Sequence, residues 1–169
     1  MKIAVIGYSG SGKSTLARRL GSLTGDPVLH LDTVQFVPGW VERDRDEAHA
    51  LVSRFMDEHA GWVIDGNYRR FCSERRFAEA DLIAFLDYPR RVCVPQALAR
   101  WWRFRGTGRP DMAAGCPERF DLAFLLWLLH GGRTPERRAW YERVCEEHAG
   151  KVASLRSRAE VEAWVARLS

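Results

Sequence analysis

The chain has 169 residues, of which 46% are hydrophobic and 28% are charged. A length of about 100–200 residues is typical of one domain, so the sequence predicts a single domain over 1–169 with enough apolar residues for one core. The longest purely apolar run, 122–129, is shorter than the roughly 18–20 residues that cross a bilayer, and no signal peptide is recognisable. We therefore exclude low-complexity and membrane-spanning classes and expect a cytoplasmic protein with no membrane partner.

The net charge of +4 is unevenly distributed along the chain. Residues 88–110 contain six arginines and no acidic residue, which indicates a local surface for anions. These arginines are Arg90, Arg91, Arg100, Arg103, Arg105 and Arg109. The four cysteines are far apart and form no CxxC pair, so we expect reduced thiols rather than a zinc ribbon.

Short apolar runs predict five strands, at 2–6, 28–31, 62–64, 82–86 and 152–155. Apolar spacing and capping patterns predict helices at 14–23, 46–59, 90–104 and 118–130, and two more that begin after Thr134 and at Ser157. Because strands and helices alternate, we expect an α/β fold with a five-stranded parallel sheet flanked by helices. The block 90–149 is too long for a simple crossover, and we expect it to be a helical lid inserted between strands 4 and 5.

Residues 7–14, GYSGSGKS, match the pattern G-x-x-x-x-G-K-[ST] between a predicted strand and a predicted helix, the context of a phosphate-binding P-loop. Backbone N–H groups of such a loop converge on a phosphate, and the helix N-terminus adds partial positive charge. Lys13 is expected to reach the β- and γ-phosphates, and Ser14 to bind Mg²⁺. The nucleotide-binding residues are expected to be Gly7, Ser9, Gly10, Ser11, Gly12, Lys13, Ser14, Thr15 and Arg100.

Aspartates follow three of the predicted strands, at Asp32, Asp65 and Asp87. The carboxyl ends of parallel strands face the ligand crevice of an open sheet, where a carboxylate can bind Mg²⁺ or activate an acceptor hydroxyl. A solvated turn or a helix cap is the alternative for each aspartate, and it is the preferred interpretation of Asp87. We interpret His30, beside Asp32, as a packed histidine.

Arginines form a third group of candidates, because guanidinium groups neutralise the charge that spreads over the phosphoryl oxygens during transfer. In the predicted lid, Arg103 and Arg109 are expected to be catalytic, and Gly106 and Gly108 are expected to act as a hinge. At least half of the arginines are expected on solvated helix faces. We interpret the tryptophans of this block as packing residues rather than a base-stacking site.

Six motifs extend over nearly the whole chain: IGYSGSGKSTLAR, VLHLD, PGW, WVIDGNYRR, FLDYPR and RPDMAAGCPERFD. Through them the chain resembles the small P-loop kinases of the adenylate kinase and shikimate kinase group. More closely, it resembles the bacterial DNA topology modulation protein (FlaR-type) family. The resemblance implies the strand order 2-3-1-4-5 and a mobile lid without structural zinc.

The resemblance also implies roles for single residues. The stretch from Asp65 to Arg69 looks like the Asp-Gly-Phe-Pro-Arg stretch of adenylate kinases, which places Asp65 near the water shell of Mg²⁺ and Arg69 on a phosphate. Asp32 falls where shikimate kinases hold an acceptor-binding aspartate, and Arg109 is similar to their lid arginine. The acceptor is thus expected at Asp32, Asn67, Tyr68 and Arg69.

These features predict a monomeric or weakly dimeric kinase that transfers a phosphoryl group from Mg²⁺-ATP to a small acceptor, with nucleotides among the acceptor classes. One alternative is an ATP-binding regulator of DNA topology that contacts nucleic-acid phosphates through the arginine-rich segment 101–109. The other alternative is a nucleotide-binding switch with little turnover of its nucleotide. A continuous basic face outside the crevice would favour the regulator.

Overall fold

A parallel five-stranded sheet forms the centre of the computed structural model, which describes residues 1–105, 107, 111–117 and 120–168. Its strands are β1 (Lys2–Gly7), β2 (Val28–His30), β5 (Trp62–Asp65), β6 (Leu82–Leu86) and β7 (Val152–Leu155). They stand in the order β2-β5-β1-β6-β7. Numbered among themselves, the five strands have the predicted order 2-3-1-4-5, which is therefore confirmed.

The central strands β1 and β5 are almost completely buried, as expected for a parallel sheet covered by helices. Register is fixed by pairs such as Val5 with Asp65 and Gly7 with Leu86. This pairing brings the carboxyl ends of β1, β5 and β6 to one edge of the sheet. The loops that follow these strands consequently open on the same side.

Eight helices flank the sheet in the described part of the chain. They are α1 (Lys13–Thr24), α2 (Leu31–Gln35), α3 (Arg45–Glu58), α4 (Ser73–Glu79), α5 (Arg90–Phe104), α6 (Leu122–Leu129), α7 (Pro135–Glu147) and α8 (Arg158–Val165). Asp44 Oδ1 accepts hydrogen bonds from the first turn of α3, and the Ser157 hydroxyl accepts one from Glu160 N, as expected of helix caps. Thr134 is the N-cap of α7, but its side chain makes no capping hydrogen bond. None of these helices has the length and apolar character needed to cross a membrane.

The region after β2 differs from the prediction. The strand ends at His30, and α2 begins at once, so Asp32 lies in the first turn of a short helix rather than directly after a strand. A two-stranded hairpin, β3 (Phe36–Val37) and β4 (Val41–Glu42), then follows. The five-residue helix has no side-chain cap and the hairpin strands have two residues each, so neither produces a recognisable sequence pattern.

Helices α5, α6 and α7 lie between β6 and β7, where the prediction placed the insertion 90–149. The fourth of the predicted helices, 118–130, begins later than expected, at Leu122, because the Asp121 side chain accepts a hydrogen bond from Phe124 N and caps the helix there. Glu118 and Arg119 lie outside the described residues. That the insertion moves as a lid stays a prediction.

Candidate functional site

The P-loop connects β1 to α1 and depends on two close backbone approaches. A Cβ at Gly7 would lie 2.6 Å from the Leu86 carbonyl oxygen, and a Cβ at Gly10 would lie 2.4 Å from the Cys93 carbonyl oxygen. Gly10 also has a φ of +79°. The loop is packed against β6 on one side and α5 on the other, so only glycine fits these two positions.

Lys13 begins α1, and its Nζ donates a hydrogen bond to the Tyr8 carbonyl oxygen at 3.0 Å. Desolvation lowers the pKa of Lys13, and the carboxylates of Asp65 and Asp32 act in the opposite direction. The ammonium group thus lies over the phosphate-binding loop and close to two acidic side chains. An anionic phosphate in the loop would supply the opposite charge that this desolvated cation requires.

Asp65 ends β5 and is 5% exposed. Its Oδ2 lies 2.9 Å from His30 Nδ1, which agrees with the interpretation of His30 as a packed histidine. Its Oδ1 is buried and has no hydrogen-bond partner among the described residues, and the same is true of Ser11 Oγ in the P-loop. Buried polar atoms of this kind are costly, so both atoms are suited to a ligand or ordered water at this place.

Magnesium fits this arrangement without a protein cage. Mg²⁺ usually keeps several waters and takes one or two protein oxygens beside the phosphates of its nucleotide. The unpaired Asp65 Oδ1 and the half-buried Ser14 hydroxyl are suited to that role. Within the described ranges, no group of three or more His, Cys, Asp or Glu side chains stands together as a separate metal site.

Asp32 and Tyr68 meet at the other end of the site. The Tyr68 hydroxyl donates a hydrogen bond to Asp32 Oδ1 at 2.8 Å, and burial together with this carboxylate raises the pKa of Tyr68. Beside them, Arg70 Nη2 donates to Gln35 Oε1 at 3.0 Å, and Arg70 lies 3.7 Å from Glu42. Two of the four predicted acceptor residues, Asp32 and Tyr68, are therefore in direct contact, and the polar side chain of Gln35 lies nearby.

Asn67 has a different placement from the one expected of an acceptor-binding residue. Its Oδ1 accepts a hydrogen bond from Gly7 N at 3.1 Å, and its Nδ2 donates to the Gly7 carbonyl oxygen at 2.8 Å. Both polar atoms of the side chain are used to hold the start of the P-loop. Acceptor binding by Asn67 stays a prediction, whereas its contact with the loop is direct.

Arg69 projects from the loop after β5 toward α7. Its Nη2 donates to the Glu136 carbonyl oxygen at 3.2 Å, and its guanidinium carbon lies 5.2 Å from the centre of the Trp140 ring. The insertion therefore supports this arginine from one side. Trp140 lines the site as well, so this tryptophan contributes to the cleft and not only to packing.

A cleft of about 1730 Å³ joins all these groups. The predicted residues that line it are Ser9, Gly10, Ser11, Gly12, Lys13, Ser14, Thr15, Asp32, Asp65, Asn67, Tyr68, Arg69, Arg100 and Arg103. Gly7 lies beneath the loop, and Arg109 lies outside the described residues, as do Gly106 and Gly108. The cleft thus has a phosphate end at the P-loop and an acceptor end at Asp32.

Several lining residues were not predicted from the sequence. They are Gln35, Phe36, Trp40, Arg70, Arg137 and Trp140. The PGW motif is a signal that could have indicated Trp40, because a proline and a glycine before a tryptophan predict a turn that presents the indole.

The arginines of 88–110 separate into two groups. Arg100 and Arg103 line the cleft, whereas Arg91 and Arg105 are exposed and do not line it. Arg90 donates through Nε to the Leu129 carbonyl oxygen and joins α5 to the end of α6. Among the described residues, the positive charge of this segment is therefore divided between cleft and exterior rather than collected on one outer face.

Comparisons with known proteins find likeness in structure only, since no protein-family model and no curated protein matches the sequence. An uncharacterized protein from Eubacterium ventriosum has a TM-score of 0.51 at 16% identity, with 98% of this chain and 96% of that chain covered. Shikimate kinase from Acinetobacter baumannii, in complex with shikimate, has a TM-score of 0.57 at 15% identity, with 98% and 89% covered. Deoxyadenosine kinase from M. mycoides, with bound dCTP, has a TM-score of 0.53 at 12% identity, with 99% and 98% covered.

At these identities the likeness concerns the fold. The protein has the fold of small P-loop kinases, and the match extends over nearly the whole chain. The narrower resemblance to the topology modulation proteins stays a prediction.

Proposed function

We propose that the protein is a kinase that transfers the γ-phosphoryl group of Mg²⁺-ATP to a hydroxyl group of a small acceptor. The observation that carries this proposal is that the P-loop and the Asp32–Tyr68 pair line one cleft. Structural similarity to a shikimate kinase and a deoxyadenosine kinase supports a small-molecule kinase in general. The acceptor class follows from the cleft chemistry alone: a hydroxyl compound small enough to fit beside Asp32.

Different residues of the cleft have different roles in phosphoryl transfer. P-loop N–H groups and Lys13 hold the phosphates and neutralise the charge that develops during transfer. Asp32, oriented by the Tyr68 hydroxyl, accepts a hydrogen bond from the acceptor hydroxyl and takes its proton. Arg69 and Arg103 face the same space and neutralise phosphoryl oxygens. Magnesium, held near Ser14 and Asp65, would add further charge neutralisation.

Asp32→Asn is the direct test of the acceptor end. We expect acceptor-dependent turnover to fall by about 10²-fold or more, because the proton acceptor is lost. The Kd for ATP is expected to change less than about two-fold, because the P-loop is untouched. Turnover is measured by ADP release with a panel of nucleosides, nucleoside monophosphates and shikimate, and ATP binding by calorimetry.

Asp87→Asn is the matched control, since Asp87 also follows a strand but does not line the cleft and pairs with Arg156 at 3.3 Å. This variant should keep wild-type turnover. An equal loss of turnover and ATP affinity in Asp32→Asn would instead give Asp32 a role in magnesium binding or folding. Absence of turnover in the wild-type protein with every acceptor would overturn the kinase proposal.

Nucleic-acid binding is the second candidate function. Substitutions of Arg103 and Arg105, at the end of α5, distinguish it from kinase activity. For a kinase, Arg103→Ala is expected to lower turnover by about 10²-fold, because a cleft guanidinium is lost. Arg105→Ala should leave turnover unchanged, since Arg105 lies outside the cleft, stacked 5.4 Å from the Trp102 ring centre. Both variants are assayed for ADP release and for duplex DNA binding at two salt concentrations.

If the protein is instead a nucleic-acid-binding regulator, the same two variants should show the opposite pattern. Each substitution would then weaken duplex binding by a similar, modest amount, and affinity would fall steeply with salt as counterions are released. Turnover would be unaffected. The division of the arginines between cleft and exterior favours the kinase pattern.

A further inference from the structure

Residues 111–117 of the insertion cross over to the hairpin β3–β4. Gly39 N donates a hydrogen bond to the Gly115 carbonyl oxygen at 3.0 Å, and Trp40 Nε1 donates to the Pro117 carbonyl oxygen at 3.2 Å. The Cys116 thiol, in a buried side chain, donates to the Val37 carbonyl oxygen at 3.3 Å. The insertion is thus attached to the acceptor end of the cleft by three hydrogen bonds, and we name residues 111–117 the bridge.

The bridge is also attached to the phosphate end. Asp111, which is 7% exposed, forms an ion pair with Arg18 at 3.0 Å, and Arg18 lies in the helix that follows the P-loop. Both residues line the cleft, as does Met112. One segment therefore contacts both halves of the cleft, and one of its three hydrogen bonds at the hairpin end comes from the Trp40 side chain.

Trp40 has an unusual backbone for a tryptophan. Its φ is +64°, a left-handed conformation that is strained for any residue with a Cβ. The indole Nε1 donates to the Pro117 carbonyl oxygen, and the residue lines the cleft with its ring centre 5.2 Å from that of Phe36. Strained residues persist where the surrounding contacts hold them, and they concentrate at functional sites.

We propose that Trp40 is a specificity-determining residue: with Phe36 it forms an apolar wall of the cleft that the polar Asp32–Tyr68 pair also lines, and the bridge holds that wall in place. This inference rests on the proposed kinase function. An acceptor that fits must present an apolar or planar face to the indole and a hydroxyl group to Asp32.

Trp40→Phe tests the proposal, because it keeps a six-membered aromatic ring and removes the N–H donor together with the five-membered ring of the indole. We expect the KM for the best acceptor of the panel to rise about five-fold, the effect of one lost hydrogen bond, with the KM for ATP within two-fold of wild type. Trp102→Phe is the matched control, since Trp102 is 70% exposed and does not line the cleft.

Amide hydrogen exchange supplies a measurement that needs no acceptor. In Trp40→Phe, peptides covering 36–42 and 111–117 should exchange faster together, whereas Trp102→Phe should leave both unchanged. Unchanged exchange in both peptides, or an equal rise in the KM of ATP and acceptor, would overturn the proposal. If wild-type protein transfers phosphate to no acceptor, the kinase function fails, and the exchange data alone decide whether Trp40 holds the bridge.

Discussion

Replacing Lys13 by alanine is expected to reduce phosphoryl transfer by about 10³-fold while the protein stays folded. The ammonium group is the cation that the P-loop presents to the β- and γ-phosphates, and the charge that develops on them during transfer would lose its partner. Folding should be little affected, because Lys13 makes one hydrogen bond, to the Tyr8 carbonyl oxygen, and its desolvated charge is costly to bury. Turnover is measured by ADP release and folding by thermal melting.

Lys151→Ala is the control for this substitution. Lys151 lies at the start of the last strand, where its Nζ donates to the carbonyl oxygens of Ala78 and Ala80, far from the P-loop in the fold. It should keep wild-type turnover even if its melting temperature falls. Unchanged turnover in a folded Lys13→Ala protein would show that Lys13 does not take part in the transfer and would refute the proposed P-loop site.

Arg76→Met is expected to lower the free energy of unfolding by about 3–5 kcal/mol, because a buried hydrogen-bonding group is removed and its acceptors are left unpaired. Arg76 is fully buried, and its guanidinium donates to the carbonyl oxygens of Phe71, Tyr68 and Gly66 at 2.8, 2.8 and 3.3 Å. Methionine is of similar length and cannot donate. The loop that carries Tyr68 and Arg69 would lose its central support, so turnover should fall as well.

Arg75→Met is a closely matched control for Arg76→Met. Arg75 is the preceding residue of the same helix and also makes three side-chain hydrogen bonds, to Glu79, Ser53 and Asp57, but its side chain is 36% exposed. Exposed ion pairs contribute little, so a loss below about 1 kcal/mol is expected. Both free energies are measured by urea denaturation. Equal losses in the two variants would mean that the buried guanidinium does not support the loop.

The sheet and the phosphate end of the site were predictable because their sequence signals are local. Each strand of the main sheet is an apolar run, and the P-loop is a contiguous motif between a strand and a helix. Asp32 was identified from its place near a strand end and Tyr68 from the resemblance to a kinase motif, and the structure brings them into contact.

What could not be predicted depends on contacts between distant residues. Arg76 lies in a segment, SERRFAE, that has the composition of an exposed helix, and only the loop packed over it makes it a buried residue. Trp40 lines the cleft because Pro117, 77 residues later, accepts its hydrogen bond. Asn67 follows Asp65 closely in sequence, yet its amide binds Gly7, 60 residues earlier. No local pattern encodes such pairings.

The insertion between β6 and β7 also bears on how this protein tolerates changes in chain length. The two strands are neighbours in the sheet, although residues 87–151 separate them. Because the entropy of closing a loop grows only with the logarithm of its length, extending a connection from about 20 to about 65 residues costs only about 1 kcal/mol. Residues can therefore be gained or lost in this connection during evolution with little change in the stability of the sheet. Gly7 and Gly10, in contrast, are packed against Leu86 and Cys93 and tolerate no side chain at all.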